Sequence, residues 1–323
     1  MRARYFTVAI CSAAIVVGCS RALHNTTALP GPKPAVGALW QGPPDVARLD
    51  LEHGSGGAAL RPTDTTFTFV AADDTGWSPG FDVTDSSGLA WSVKTGPEAQ
   101  SEVAASRILG AAGFHQPPTY YLPAWSLTGA QSGPQEPGRF RPSLPDQEVV
   151  GDWSWYENPF VGTRAFGGLI VLNLMITNWD WKTSNNKIYR RAAEPDAPPR
   201  YVVRDVGASF GRFTYPTILT WFRLRGFGQG TRNSLVDFEQ QGFIKAVQAD
   251  GRVEFHYKGI YRDVVESVTV ADVIWASERL AALSDAQWQE AFGAAGYTPE
   301  QRERFVAKLK SKVADGLALR RSQ

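Results

Sequence analysis

The sequence predicts an α+β chain in which a β-rich N-terminal lobe precedes a mainly helical C-terminal lobe. Two observations lead to this class. Apolar and polar residues alternate over 66–70 and again over 89–94, which is typical of strands with one buried face. Residues 164–176 are apolar nearly all round, which predicts a helix buried inside the second lobe.

Composition limits the class of protein further. The 323 residues are 43% hydrophobic and 12% aromatic, which is enough to build a substantial core. The 33 basic and 32 acidic residues leave a formal net charge of +1, so no broad basic surface argues for a nucleic acid partner. The roughly 260 residues that follow the first 63 suit one two-lobed domain or two small ones.

The first 20 residues predict the compartment. A basic start over 1–4 precedes an apolar run over 5–17, too short to span a bilayer and typical of a secretory signal peptide. The run ends in Val-Val-Gly-Cys-Ser, which resembles a bacterial lipoprotein box, with Cys19 as the lipidated mature N-terminus. By analogy with bacterial lipoproteins, Ser20 in place of an aspartate favours the outer membrane of the cell envelope, with the domain facing the periplasm. An ordinary signal peptide with an incidental cysteine is the alternative.

Cysteine content agrees with this processing. The chain has two cysteines, and Cys11 would leave with the signal peptide over 1–19. With Cys19 lipidated, the mature domain would offer no disulfide, cysteine-bound zinc or cysteine nucleophile.

Proline and glycine suggest where the chain divides. Residues 20–63 are rich in both, which predicts a tether to the membrane. The N-lobe is then expected over 64–125 and the C-lobe over 126–323. Residues 130–146, again rich in proline and glycine, are expected to form an exposed insertion.

The strand over 89–94 supplies a candidate nucleotide site. Its apolar side chains share one face, while Ala90, Ser92 and Lys94 share the other. Small side chains beside an ammonium group leave a flat shelf on which a nucleotide could lie, with its phosphates on Lys94. A solvent-facing lysine on an edge strand is the alternative, and no glycine-rich phosphate loop precedes it.

The helix that follows offers partners for this lysine. Pro97 and Glu98 suit the start of a helix that runs to Gly110. Glu98 and Glu102 lie one turn apart, a like-charge pair that a cation would stabilise. We expect Lys94 to pair with Glu102, because a glutamate in the first turn usually serves the helix end. Glu98 stays open as the alternative.

A second cluster follows the buried helix. Asp180, Lys182 and Asn185 lie in a loop, and Asp205-Val206-Gly207 follows the next predicted hairpin. In phosphoryl transfer one carboxylate orients the attacking hydroxyl, while an amide oxygen and a second carboxylate hold magnesium. Asp180 fits the first role, and Asn185 with Asp205 fits the second, while Lys182 would neutralise the transferring group. Ordinary loop capping is the alternative.

The ordered set, a strand lysine, a helix glutamate, Asp-x-Lys-x-x-Asn and Asp-x-Gly, resembles the protein-kinase-like superfamily. It is most similar to the atypical branch: HipA-type, secretory-pathway and phosphoinositide kinases. The resemblance covers residues 65–212 and implies a two-lobed kinase-like fold that uses ATP with Mg²⁺ or Mn²⁺. Asn178-Trp179 stands where common protein kinases have His-Arg, Val206 replaces a phenylalanine, and no Ala-Pro-Glu follows. These departures put recognition of a protein substrate in doubt more than nucleotide binding.

Three functions are compatible with this pattern. The leading hypothesis is phosphotransfer from ATP to a hydroxyl of a protein, sugar or lipid in the envelope. The compartment outside the inner membrane holds little ATP, which favours a catalytically silent module that binds an envelope ligand or partner. Transfer of AMP by the same residues is the third possibility.

The remaining sequence predicts structural elements. A hairpin is expected over 243–257 around Asp250-Gly251, and helices over 270–283, 284–293 and 298–317. Ser284 and Thr298 are expected to cap the last two helices. Residues 226–230 are glycine-rich and are expected to form a surface turn, with closure over a substrate as the alternative.

Overall fold

The computed structural model describes residues 21–27, 29–73, 78–214 and 230–322. The predicted signal peptide with Cys19, and the predicted loop over 226–229, lie outside these residues. No helix among the described residues is both long and apolar enough to cross a bilayer.

A seven-stranded sheet forms the first lobe, in the order β4-β7-β3-β2-β1-β5-β6. All neighbouring strands are antiparallel except β1 and β5. One helix, α1, crosses from β3 to β4 and packs against β3, β4 and β7. The elements are β1 (Thr66–Asp73), β2 (Gly80–Thr84), β3 (Ala90–Thr95), α1 (Glu98–Ala111), β4 (Tyr120–Leu122), β5 (Trp125–Thr128), β6 (Gly133–Gln135) and β7 (Gly138–Pro142).

The alternation read from the sequence decides which face of β3 is buried. Trp91 and Val93 are each 2% exposed and lie in an apolar cluster with Phe67, Val83 and Phe140. The tight turn before β3 is held by Asp85, whose carboxylate accepts hydrogen bonds from the backbone and from the Trp91 indole. The polar face of β3 is therefore left for the site.

The first sheet continues beyond the expected lobe boundary at residue 125. Residues 138–142 form β7, which is buried between β3 and β4 instead of lying in an exposed insertion. Phe140 fills the apolar cluster, and the arginines on either side of it are buried by ion pairs with α1. Proline, glycine and arginine are typical of surface segments, and the sequence therefore predicts exposure where the strand is in fact buried.

Residues 21–63 differ from the expected free tether. Leu39 and Leu51 are buried against the main core, and the Trp40 indole donates a hydrogen bond of 2.9 Å to the carbonyl of Ala112. The buried Arg107 of α1 donates to the carbonyl of Leu51 at 3.0 Å. Four short 3-10 helices order this segment: Val36–Ala38, Val46–Arg48, Gly54–Gly56 and Ala58–Leu60.

The second lobe is mainly helical. It contains a three-stranded sheet in the order β10-β9-β8, and a hairpin and helices follow. The elements are β8 (Gln147–Asp152), α2 (Arg164–Met175), β9 (Asn186–Arg191), β10 (Arg200–Val203), α3 (Leu235–Gln240), β11 (Ile244–Val247), β12 (Val253–Phe255), α4 (Arg262–Glu266), α5 (Val270–Ala281), α6 (Asp285–Gly293) and α7 (Pro299–Ala318).

The central helix of this lobe is α2, as its apolar sequence predicts. Every residue of α2 after Arg164 is buried. A Cβ atom at Gly168 would lie 2.3 Å from the Trp275 ring, so glycine allows α5 to approach closely. The predicted caps are present, because Ser284 and Thr298 each form a capping box at the start of α6 and α7. The α+β class with a β-rich first lobe and a helical second lobe is confirmed.

Candidate functional site

A cleft of about 300 Å³ lies between the lobes. Its lining includes β3 and β7 on one side and the loop after α2, the start of β9 and the end of β10 on the other. Six of the predicted site residues line it: Ser92, Lys94, Asp180, Lys182, Asn185 and Asp205. The seventh, Glu102, is 1% exposed and lies directly behind Lys94.

Lys94 joins the two lobes through its ammonium group. Its Nζ lies 3.0 and 3.1 Å from the carboxylate oxygens of Asp205, and 3.1 Å from Oε2 of Glu102. Oε2 of Glu98 lies 3.4 Å away, so both candidate glutamates contact the lysine and Glu102 is the nearer. Burial by itself would lower the pKa of Lys94, but the three carboxylates outweigh it and raise that pKa above its ordinary value.

Glu102 holds three cations at the back of the cleft. Besides Lys94, its carboxylate pairs with Nε of Arg139 at 3.1 Å and with the guanidinium of Arg141. Burial alone would raise the pKa of Glu102, but these cations outweigh it and lower the pKa. Because the Glu102 carboxylate stays ionised although it is buried, it keeps Lys94 of β3 in position.

Glu98 ties the start of α1 to the Asp-x-Gly segment. Its carboxylate accepts a hydrogen bond of 3.0 Å from Ser78 and pairs with Arg232. A Cβ atom at Gly207 would lie 2.8 Å from the Glu98 Cβ, so only glycine permits this approach. Ser101 of α1 adds a buried hydrogen bond of 2.6 Å to the Gly207 carbonyl.

The loop after α2 aims Asp180 into the cleft. Asn178 is buried and hydrogen-bonds both Asn173 of α2 and the backbone N–H of Asp180. One carboxylate oxygen of Asp180 lies 2.8 Å from Nζ of Lys182. Its other oxygen, Oδ1, is buried and accepts no hydrogen bond from any described residue. The Asp180 side chain is 18% exposed and lines the cleft, so its carboxylate is the acceptor that a substrate hydroxyl could meet.

Asn185 and Asp205 are held side by side. The backbone N–H of Asp205 donates to the Asn185 carbonyl at 3.2 Å. The Asn185 amide nitrogen donates to the Asp180 carbonyl at 2.8 Å, which leaves the amide oxygen as the atom open to a cation. Partial burial by itself would raise the pKa of Asp205. The ammonium group of Lys94 outweighs this effect and lowers the pKa well below its usual range. Its side chain is 40% exposed towards the cleft.

These two oxygen donors fit Mg²⁺ or Mn²⁺. Magnesium is usually held by one or two protein oxygens together with substrate phosphates, not by a complete protein cage. Among the described residues no group of three or more His, Cys, Asp and Glu is placed to hold a metal ion. The donor set therefore suits a hard cation that arrives with a phosphorylated substrate.

Sequence reasoning missed four cations of the cleft: Arg139, Arg141, Lys187 and Arg204. For Arg139 and Arg141 the sequence does contain a signal, because Arg-Phe-Arg has the alternation of a half-buried strand. The surrounding proline and glycine nevertheless predict an exposed insertion. A larger cavity of about 930 Å³ lies behind α1 and contains none of the predicted site residues.

No family model matches this chain, and no curated protein does. Solved structures resemble it at low identity. The proinflammatory kinase CtkA of Helicobacter pylori shares 12% identity at a TM-score of 0.45, over 79% of this chain and 97% of CtkA. The Golgi casein kinase shares 10% sequence identity at a TM-score of 0.39, over 80% of this chain and 72% of the kinase chain. The structure of the Golgi casein kinase with Mn/ADP bound shares 9% sequence identity at a TM-score of 0.35, over 79% of this chain and 72% of the kinase chain. These similarities concern the fold alone.

Proposed function

We propose that the protein is a phosphotransferase that moves a phosphoryl group from a phosphoanhydride donor, such as ATP, to a hydroxyl in the cell envelope. One observation carries this proposal. Lys94 contacts Glu102 on one side and Asp205 on the other, within the cleft that also receives Asp180. A lysine so fixed beside two oxygen donors for a cation is the arrangement that phosphoryl transfer uses.

Each side chain has a role in this proposal. Lys94 binds the donor's phosphates, Glu102 fixes Lys94, and Ser92 lies along the donor's path. Asn185 and Asp205 would hold Mg²⁺ or Mn²⁺, which neutralises charge on the phosphates when bound. The acceptor hydroxyl donates to the Asp180 carboxylate, which orients it and takes its proton. Lys182, paired with Asp180, offsets charge on the transferred group.

Replacing Asp205 tests the proposal. Thermal unfolding of the full chain is followed with ATP or tripolyphosphate, each with and without Mg²⁺. A ligand at about 100 times its Kd adds about 2.7 kcal/mol to the native state, and we expect this only with the metal present. Asp205→Asn keeps the side-chain shape but removes the charge, so it should abolish the metal-dependent rise.

Asp250→Asn is the matched control, because Asp250 pairs with Arg252 on the surface. It should leave the rise unchanged. An equal rise in Asp205→Asn and the wild type would disprove the metal assignment. No rise with either donor would favour a silent binding module. Label on the acceptor from the α-phosphate of ATP would instead indicate transfer of AMP.

We also propose a lipid anchor at Cys19, supported by the lipoprotein-like Val-Val-Gly-Cys-Ser segment. The Cys19→Ala variant should move from the membrane fraction to the soluble fraction and lose labelling by a fatty-acid analogue. Labelling that persists in the variant would rule this anchor out.

A further inference from the structure

Cationic side chains surround the shelf on β3 where the base of a nucleotide would lie. Lys94 marks the phosphate end of the cleft, because it contacts Asp205. Two residues earlier, Ser92 provides the shelf, and Arg141 of β7 lies opposite it in the sheet register. Lys187 and Arg204 line the same cleft from the second lobe.

The lining is unsuited to a purine. Of the described residues that line the cleft, only Val93 and Ala208 have apolar side chains, and Val93 is buried in the sheet's apolar cluster. Pockets for organic ligands are mostly apolar, with a few polar groups that fix orientation. Here the lining cations alone number six: Lys94, Arg139, Arg141, Lys182, Lys187 and Arg204.

Among the described residues, Arg204 has no carboxylate within ion-pair distance, and Arg139 and Arg141 have one between them. Arg139 and Arg141 share the single carboxylate of Glu102. Arg141 also donates a hydrogen bond of 3.3 Å to the carbonyl of Arg204. The buried Nε atoms of Arg141 and Arg204 donate no hydrogen bond to any described residue. A buried guanidinium nitrogen without an acceptor is costly, and the negative charge of an anionic ligand in the cleft would offset that cost.

We propose that the phosphoryl donor is an oligophosphate, a chain of phosphates joined by anhydride bonds, and not ATP. This rests on the phosphotransfer proposed above and names its donor. The terminal phosphate lies at Lys94 and Asp205, and the following phosphates occupy the shelf beside Arg141 and Arg204. Guanidinium groups suit this ligand because they bind phosphate oxygens through two parallel hydrogen bonds.

The reaction balances without a further reagent. The acceptor oxygen forms a bond to the terminal phosphorus, and the anhydride P–O bond of that phosphorus breaks. The shortened oligophosphate leaves with the electron pair of the broken bond. The acceptor's proton passes to Asp180 and then to solvent.

Binding of three donors to the full chain tests this assignment. Calorimetry in Mg²⁺ compares tripolyphosphate, a polyphosphate of roughly 15 units and ATP, and transfer is followed with each donor labelled at its terminal phosphate. We expect the polyphosphate to bind at least about tenfold more tightly than ATP, since each added charge-assisted hydrogen bond contributes about 1.5 kcal/mol or more. Arg204→Met should weaken polyphosphate binding about tenfold and leave ATP binding unchanged or tighter.

Arg190→Met is the matched control. Its Nε is also buried without a partner among the described residues, but it lines the larger cavity behind α1. It should leave both affinities unchanged. ATP binding that exceeds polyphosphate binding, with transfer that needs Asp205, would overturn the donor assignment alone. Failure of all three donors to bind would overturn the phosphotransfer proposal with it. Equal losses of polyphosphate affinity in Arg204→Met and Arg190→Met would show that binding depends only on the net charge of the protein. That result would also overturn the assignment.

Discussion

At the scale of single residues, the carboxylate of Glu102 decides the charge balance of the cleft. It is buried, and it is the shared partner of Lys94, Arg139 and Arg141. Removing one member of a buried ionic network leaves the others uncompensated, which costs more than the network's net contribution to stability. Glu102 is therefore both a structural and a positioning residue.

Glu102→Gln should lower the free energy of unfolding at neutral pH by about 3 kcal/mol, measured by urea denaturation. Because the pKa of Glu102 is lowered below its ordinary value of 4.5, the native state binds fewer protons there than the unfolded chain. Its stabilisation is full above pH 4.5 and is lost as the pH falls through the native pKa. The difference between variant and wild type should therefore shrink in acid.

The control for this change is Glu254→Gln, which removes a carboxylate paired with Lys245 at the surface. Surface pairs contribute little, so its stability should match the wild type at both pH values. A Glu102→Gln variant with wild-type stability at neutral pH would show that the three cations do not need this carboxylate.

At the scale of elements, the approach of α1 to the Asp-x-Gly segment sets the cleft's geometry. Lys94 on β3 and the first turn of α1 are neighbours in sequence, whereas Asp205 lies 111 residues after Lys94. Gly207 is the point where α1 and the segment touch. A side chain at Gly207 would separate the two and lengthen the distance between Lys94 and Asp205.

Gly207→Ala should reduce kcat/KM for phosphotransfer at least about tenfold, because small displacements of positioning groups are costly in catalysis. Steady-state kinetics with a saturating acceptor would measure this. Gly37→Ala serves as control, since a Cβ atom there meets nothing within 4 Å. Unchanged kinetics in Gly207→Ala would indicate that α1 and the segment shift without cost to the site.

At the scale of the whole molecule, residues 21–63 complete the core instead of only leading to it. Leu39 and Leu51 are buried, and the backbone carbonyls of Leu51 and Glu52 accept hydrogen bonds from Arg107 on the inner side of α1. A chain that began at residue 64 would expose the core surface that these side chains cover and leave part of a buried guanidinium unpaired.

That shortened chain should lose at least about 3 kcal/mol of stability, from two large buried side chains at about 1.5 kcal/mol or more each. Urea unfolding of residues 64–323 against the full chain would measure the loss. Equal unfolding midpoints would mean that the segment packs without stabilising the domain.

Much of the fold followed from local sequence. The hairpin before Lys94, the buried α2 and the caps of α6 and α7 were predicted from alternation, apolar content and capping residues. The strand β7 was not, because its burial depends on ion pairs between arginines and a glutamate more than 30 residues away. The packing of segment 21–63 is likewise not predictable locally, because proline and glycine signal irregular backbone and say nothing of whether that backbone packs.

The sequence by itself determined the site's chemical groups: a strand lysine, a helix glutamate and the Asp180, Asn185 and Asp205 set. Spacing sufficed because each group sits at a fixed place on a strand, a helix or a loop. Only the tertiary structure decided that both Glu98 and Glu102 contact Lys94, and that arginines occupy the shelf beside it. Those facts depend on which side chains meet across the sheet and between the lobes, and distance along the chain does not encode them.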